Sequence, residues 1–300
     1  MGIGQPKMIN VALIGKGYWG SKLEKYIQEN QDVCLEIVCN SKSDLFNEVY
    51  GKPSIDAVIV ATPNQTHYQI TRAAILNGKH VMVEKPLALR TEECHDLEEL
   101  AEKKGVALCT DYTHTFSKSL QLAQKTVANR EIGDICGIEM HMRQFGRFGR
   151  GSVYWLLASH MLAVLDMFVP LDGLEFYKND TAIHQGNVEA GTIYFNNDSL
   201  HGDISVSLNC PNKERSVVIY GERGRITYNP LLSKPLHIVT YERAPRTANI
   251  QLPLNERFFE FDESNNLSYA INYFYEVIHG KLKSNAKTAI LVTQVLEGLK

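Results

Sequence analysis

An α/β domain built on a parallel sheet, followed by an α+β domain with a large, mostly antiparallel open sheet, is the fold class this sequence predicts. Three observations carry that prediction. Residues 1–115 alternate short apolar strand patterns with patterns of helical spacing, the signature of a parallel sheet with right-handed crossovers. The stretch VALIGKGYWG, Val11 to Gly20, sets three glycines directly behind the first strand. From about Leu174 to Leu252, strand patterns are split by turn signals such as NND, GERG and YNP, which suits an antiparallel sheet. A chain of 300 residues exceeds what one core usually serves, so two domains are expected, 1–115 and 116–300.

The elements follow in order. MINVALIG is a continuous apolar run with β-branched members, as in a strand buried on both faces. YWGSKLEKYIQEN carries apolar residues at helical spacing, and VCLEIVC and DAVIVAT read as the next two strands. Between Cys39 and Asp56 there is space for about one helix, so a trimmed sheet edge is expected there. HYQITRAAILNG predicts a helix closed by Gly78, and HVMVEKP the fourth strand. TEECHDLEELAEKKG predicts a helix opened by Thr91 as a capping residue and closed by Gly105, before the strand VALCT. A helix near 116–129, a long strand in DICGIEMHMRQFGRF and a buried helix in YWLLASHMLAVLDMF begin the second domain. Two helices, NNLSYAINYFYEVIHG and KTAILVTQVLEGLK, end it.

Composition narrows the function classes. Hydrophobic residues make up 44% and charged ones 22%, ordinary for a soluble enzyme. The net charge of −3 argues against a nucleic-acid partner. No apolar run has the length of a membrane span. The opening MGIGQPKMIN lacks a secretory core, and Pro6 and Lys7 do not fit a myristoylation pattern. Cys34, Cys39, Cys94, Cys109, Cys136 and Cys210 form no CxxC pair and are read as buried thiols of a cytoplasmic protein, with no metal site.

The glycines have a physical reading. Gly15 permits a tight turn, Gly17 lets a pyrophosphate approach the backbone, and Gly20 lets helix and strand pack closely. A helix N-terminus behind them supplies N–H donors for phosphate, with Lys16, Tyr18 and Trp19 in the same turn. Context makes this a dinucleotide-binding, Rossmann-type fingerprint. About twenty residues beyond the third glycine, where a carboxylate would select NAD, stand Asn40, Ser41 and Lys42. An amide, a hydroxyl and an ammonium can accept a 2′-phosphate, so NADP is favoured over NAD.

Two further stretches lie at carboxyl ends of predicted strands, where open α/β sheets bind ligands. They are ATPNQTH, with Thr62, Pro63, Asn64 and His67, and EKP, with Glu84 and Lys85. The set GxGxxG, ATPNxxH and EKP resembles the glucose–fructose oxidoreductase, inositol dehydrogenase and MocA family over nearly the whole chain. That resemblance implies hydride transfer between a nicotinamide and a hydroxyl-bearing carbon of a sugar, cyclitol or sugar nucleotide. It implies a homo-oligomer formed through the C-terminal sheet, and a catalytic lysine, here Lys85. A lysine beside a nicotinamide also makes chemical sense on its own, stabilising an alkoxide or accepting the hydroxyl proton.

FGRFGRGSVYWLLASHMLAVL and DYTHTF resemble the branch of that family acting on sugar nucleotides. The match makes His160 the active-site histidine, with Trp155 beside it. Tyr112 and Tyr154 are phenols that could reach substrate or serve as packing, and Arg147 and Arg150 could contact a phosphate or face solvent. The family's usual acid four residues before the histidine is Leu156 here. Its loss removes an expected partner of Lys85 or His160. Two other readings stay open: a silent dinucleotide-binding sensor or partner protein, and a reductase of an imine or other small carbonyl compound.

Overall fold

The computed structural model describes residues 8–40, 49–149, 151–242 and 253–299. They divide into two compact units, residues up to Thr113 with Asn265–Glu297, and His114–Ser264.

The first unit holds five strands, β1 (Ile9–Ile14), β2 (Val33–Cys39), β3 (Ala57–Val60), β4 (His80–Glu84) and β5 (Leu108–Asp111). They form one sheet in the order β2-β1-β3-β4-β5, with every pairing parallel. Helices α1 (Tyr18–Gln28), α2 (His67–Leu76) and α3 (Thr91–Lys104) connect them. The continuous apolar runs behave as the pattern requires: all four residues of β3 are buried. Among the described residues β2 is the sheet edge, as a trimmed half would leave it.

Register aligns the carboxyl ends. Ile14 lies opposite Cys39 and Val60, Val60 opposite Val83, and Glu84 opposite Asp111. The residues that follow, from Gly15 to Tyr112, therefore share one edge of the sheet.

The last two helices, α6 (Asn266–Ile278) and α7 (Ala286–Gly298), pack in this first unit, where the sequence assigned them to the second. The reason is cover. Leu267, Ile271, Phe274 and Tyr275 of α6 join Leu23 and Ile27 of α1 over Ile9, Val11, Leu13, Ile59 and Met82. A parallel sheet must be covered, and α1 alone spans too little of it. Ahead of α7, the Asn285 amide donates to Thr110 O (2.8 Å) and accepts from Thr110 N (2.9 Å). It pairs the open edge of β5 one residue before Asp111.

Thr91 does not cap its own helix. The cap position is Arg90, without a side-chain bond. Instead the Glu297 carboxylate of α7 accepts from Thr91 N (2.9 Å) and Thr91 Oγ1 (2.7 Å). Gly105 closes α3 in the left-handed region, as expected.

The second unit carries an eight-stranded sheet built from β6 (Ile135–Phe145), β7 (Glu175–His184), β8 (Asn187–Asn196), β9 (His201–Ser207), β10 (Asn209–Gly221), β11 (Gly224–Tyr228), β12 (Leu236–Tyr241) and β13 (Pro253–Phe259). All its pairings are antiparallel except β6 with β9. Helix α4 (Lys118–Ala128) packs on β11 and β12. A π turn (Tyr154–Ala158) leading into α5 (Ser159–Asp166) lies over β6 and β9. The opposite sheet face shows the cross-strand tyrosines Tyr177 and Tyr194, both exposed.

The thiols differ in part from expectation. All six cysteines are unbridged, with Cys39, Cys94 and Cys109 buried, Cys210 half-buried, and Cys34 and Cys136 exposed. Cys34 points outward because β2 is half-solvated at the sheet edge. No helix among the described residues is long and apolar enough to cross a membrane.

Candidate active site

The glycine turn separates three jobs. Gly15 has φ +108°, and a Cβ on it would lie 2.3 Å from Ala61 O. A Cβ on Gly20 would lie 1.9 Å from Gly15 O. Both glycines therefore let backbones approach one another. Gly17 is different, because a Cβ there meets nothing within 4 Å. Its openness is useful only to something outside the fold.

Gly17 is also the N-cap of α1, which has no side-chain cap and no acid in its first turn. N–H donors and a positive helix end without a carboxylate suit a pyrophosphate. The residues present thus fit a dinucleotide. Lys16 pairs with Glu24 at 3.4 Å. Tyr18 is exposed and stands edge-on to Trp19, with the Lys22 ammonium over both rings. Asn40 follows β2 in an exposed position. Ser41, Lys42 and Arg150 lie outside the described residues.

The ATPN stretch is held from behind. Ala61 N donates to Ile14 O (2.8 Å), fixing the start of the turn beside Gly15. The Thr66 hydroxyl bonds Pro63 O (2.7 Å) and meets the Thr62 hydroxyl (2.8 Å), across the short turn that Asn64 opens. His67 was expected to bind cofactor. Its ring is fully buried, with Nδ1 at 2.7 Å from Pro86 O and Nε2 at 2.9 Å from Thr62 O. Both nitrogens are committed to backbone, so the ring offers a ligand no polar atom. It ties the loop after β3 to the loop after β4. Burial holds its pKa below the usual value, the two carbonyls oppose that shift, and the charge of Lys85 adds to it.

Beside that strut lies a cluster that sequence reasoning saw only in part. Glu84 and Asp111 are cross-strand neighbours, and both are buried. Glu84 Oε1 and Asp111 Oδ2 have no hydrogen-bond partner, while Asp111 Oδ1 accepts from the Thr113 hydroxyl at 3.1 Å. Burial pushes Asp111 up to about 7, against the pull of Thr113 and Lys85. Glu84 rises well above the carboxylate range through burial and the nearby Asp111, with Lys85 opposing. Two carboxyls in one dry site cannot both ionise, so the pair retains a proton near neutrality. Lys85, half-buried between them in sequence and charge, therefore has acidic neighbours within its own unit. The acid missing at Leu156 does not leave Lys85 without a carboxylate. The sequence signal for Asp111 is its place directly after the predicted strand VALCT, at the ligand edge.

In the second unit His160 is buried at the start of α5, with the His114 ring edge-on at a centroid distance of 5.1 Å. A π turn precedes it, and Leu156 lies within that turn.

The two candidate phenols are both buried. Tyr154 is buried, and its hydroxyl donates to Asp180 Oδ1 (2.7 Å) above Gly191, where a Cβ would collide with that oxygen. Burial and Asp180 both raise its pKa. Tyr112 is 1% exposed. Trp155 is half-buried, and its carbonyl accepts from Ser159 Oγ at 2.9 Å. Arg147 is exposed, with φ +68° in a glycine-rich turn. Within the second unit a cavity of about 620 Å³ is lined by His114, Lys213, Arg215, Leu231, Phe261 and Glu263, among others. No cluster of metal-ligating side chains occurs among the described residues.

Residues 9–112 match the model of the GFO_IDH_MocA group, described as an oxidoreductase family with an NAD-binding Rossmann fold. Over these residues the chain is similar to the Gfo/Idh/MocA family. The chain is 31% identical over 153 residues to 2,7-anhydro-N-acetylneuraminate hydratase of Escherichia coli K12, covering 46% of this chain and 40% of that one. It is 32% identical over 144 residues to D-glucoside 3-dehydrogenase of the same organism, covering 42% and 41%. The chain thus spans about two fifths of the length of these curated relatives. The solved structure of GenD2 from gentamicin A biosynthesis, in complex with NAD, superposes with a TM-score of 0.82 at 19% identity, covering 98% of this chain and 93% of that one. At that identity the likeness shows a shared fold.

Proposed function

We propose that this protein is an NAD(P)-dependent oxidoreductase acting on a hydroxyl or keto carbon of a sugar, cyclitol or sugar nucleotide. The observation that carries the proposal is the open Gly17 at an uncapped helix start, on the same sheet edge as Glu84, Lys85 and Asp111. Gly15, Gly17 and the first turn of α1 would hold the pyrophosphate. Thr62, Pro63 and Asn64 would flank the nicotinamide half, and Asn40 the adenosine ribose. NADP is favoured because no carboxylate follows β2 at Asn40. When bound, the dinucleotide supplies the hydride donor or acceptor.

The chain's own residues handle the proton. Lys85 bears the charge that stabilises an alkoxide; it would accept the hydroxyl proton as the hydroxyl is oxidised and donate one as the hydroxyl is formed. The Glu84–Asp111 pair holds a proton beside it and keeps that ammonium charge compensated. His160 is the candidate substrate-side hydrogen-bonding group of the second unit. The sheet face bearing Tyr177 and Tyr194 is the proposed contact between copies, and a reducing cytoplasm suits the unbridged thiols.

The test is turnover. Purified protein is given NADP or NAD with a panel of sugars, cyclitols and sugar nucleotides, and reduced nicotinamide is followed by absorbance. The proposal expects turnover that falls at least about a hundredfold in Lys85→Ala. Dinucleotide binding without turnover on any such compound would favour the sensor reading. Similarity to a protein named a hydratase supports a second enzymatic reading, in which water is added to an anhydro sugar. Product formation with no net change in nicotinamide absorbance would favour it.

A further inference from the structure

Arg215, on β10, is a buried guanidinium without a carboxylate. It is 9% exposed and donates to Arg143 O (2.9 Å), Glu214 O (2.8 Å) and Gln144 Oε1 (2.6 Å). All three acceptors are neutral. No ion pair of Arg215 occurs among the described residues, and the neighbouring Glu214 spends its carboxylate on Arg143 at 3.2 Å. A guanidinium has five N–H donors, so two remain. The nearest charge acting on it is a second cation, Arg147. Burial first, then Arg147, brings its pKa down to about 10. Burying a cation beside a like charge is costly unless an anion joins them.

Arg215 lines the cavity of about 620 Å³, together with Lys213. Glu260, Asp262 and Glu263 also line it. Glu263 accepts from Ser119 Oγ (2.5 Å) and Tyr228 Oη (2.9 Å), and Asp262 from Ser264 N (2.9 Å) and Oγ (2.6 Å). Glu260 is exposed at the rim. None of them figures among the charges acting on Arg215. The cavity wall also includes His114, whose ring meets His160.

We propose that this cavity binds an anionic group of the substrate, a carboxylate or a phosphate, on Arg215 with Arg147 as second cation. The fork of Arg215 suits either oxyanion. The word substrate rests on the oxidoreductase reading above, while anion binding itself does not. The ligand class becomes an acidic or phosphorylated sugar, with its charged end close to His114 and its hydroxyls toward His160.

The test is titration calorimetry with three probes: D-glucose, D-glucuronate and D-glucose 1-phosphate. Wild type is compared with Arg147→Gln, an exposed position, and with Arg215→Met. Circular dichroism and the unfolding midpoint check each variant. One anionic probe is expected to bind at least about tenfold more tightly than glucose. That advantage is expected to vanish in Arg147→Gln and, if it folds, in Arg215→Met. Which probe gains identifies carboxylate or phosphate. Equal binding of all three probes, or an advantage that survives in Arg147→Gln, overturns the proposal. Dinucleotide titration is run separately: anion binding without dinucleotide binding would sink the oxidoreductase reading and leave the anion site standing.

Discussion

Glu84 and Asp111 face each other across the paired ends of β4 and β5, both buried, and each has one oxygen without a hydrogen-bond partner. Next to Lys85, this arrangement makes a measurable demand on pH. The pKa of Asp111 rises from 3.8 to about 7 in the fold. A carboxyl whose folded pKa is raised binds its proton more tightly when folded. Its stabilising contribution is full below the unfolded pKa and is lost as pH climbs through the folded one. The unfolding midpoint should therefore fall between about pH 5 and pH 8, and Asp111→Asn should shrink that fall by roughly 3 °C or more. Identical pH slopes in wild type and variant would show that Asp111 titrates normally.

The Glu297 cap carries the opposite sign. Hydrogen bonds from Thr91 hold the Glu297 carboxyl below its usual pKa. Its contribution is present above the unfolded carboxylate pKa and is lost as pH falls through the folded one. Glu297→Ala should cost about 1 kcal/mol at neutral pH, the size of a lost N-cap. Denaturant melts should show that cost near neutrality and a smaller one in acid.

His67 is expected to act through the loops it joins. Removing it leaves Thr62 O and Pro86 O without their ring partner in a dry site. His67→Ala should lose about 2 kcal/mol or more. Its dinucleotide affinity should fall further than stability alone explains, with partial recovery in His67→Gln. Unchanged affinity in a folded His67→Ala would reduce the residue to packing.

Gly15 and Gly20 are predicted to be intolerant for steric reasons. Gly15→Ala forces a left-handed φ and a clash with Ala61 O, and Gly20→Ala a clash with Gly15 O. Each should lose about 2 kcal/mol or more of stability. Midpoints within a degree of wild type would mean the turn relaxes freely.

Much of this was legible in the sequence, for identifiable reasons. Gly15, Gly17 and Gly20 announced the turn because only glycine fits the approaches seen at two of those positions, and the apolar runs of β1 and β3 announced a sheet covered on both faces. Other features depended on distant partners that no local pattern encodes. The capping pattern at Thr91 pointed inward to its own helix, whereas Glu297 reaches it from another. Helices α6 and α7 follow the second sheet in sequence, and only the need to cover the first sheet brings them back. The Asp180 partner of the Tyr154 hydroxyl and the register that sets Asp111 against Glu84 are likewise distant in sequence.

The central claim is that the bare backbone at Gly17 receives a dinucleotide. Calorimetric titration of NADPH and of NADH into wild type and Gly17→Ala tests it most directly, since a Cβ at Gly17 touches nothing in the protein itself. Saturable binding by wild type is predicted, with affinity at least about tenfold lower in an equally stable Gly17→Ala. No binding of either dinucleotide by wild type, or equal affinity in the variant, would contradict it.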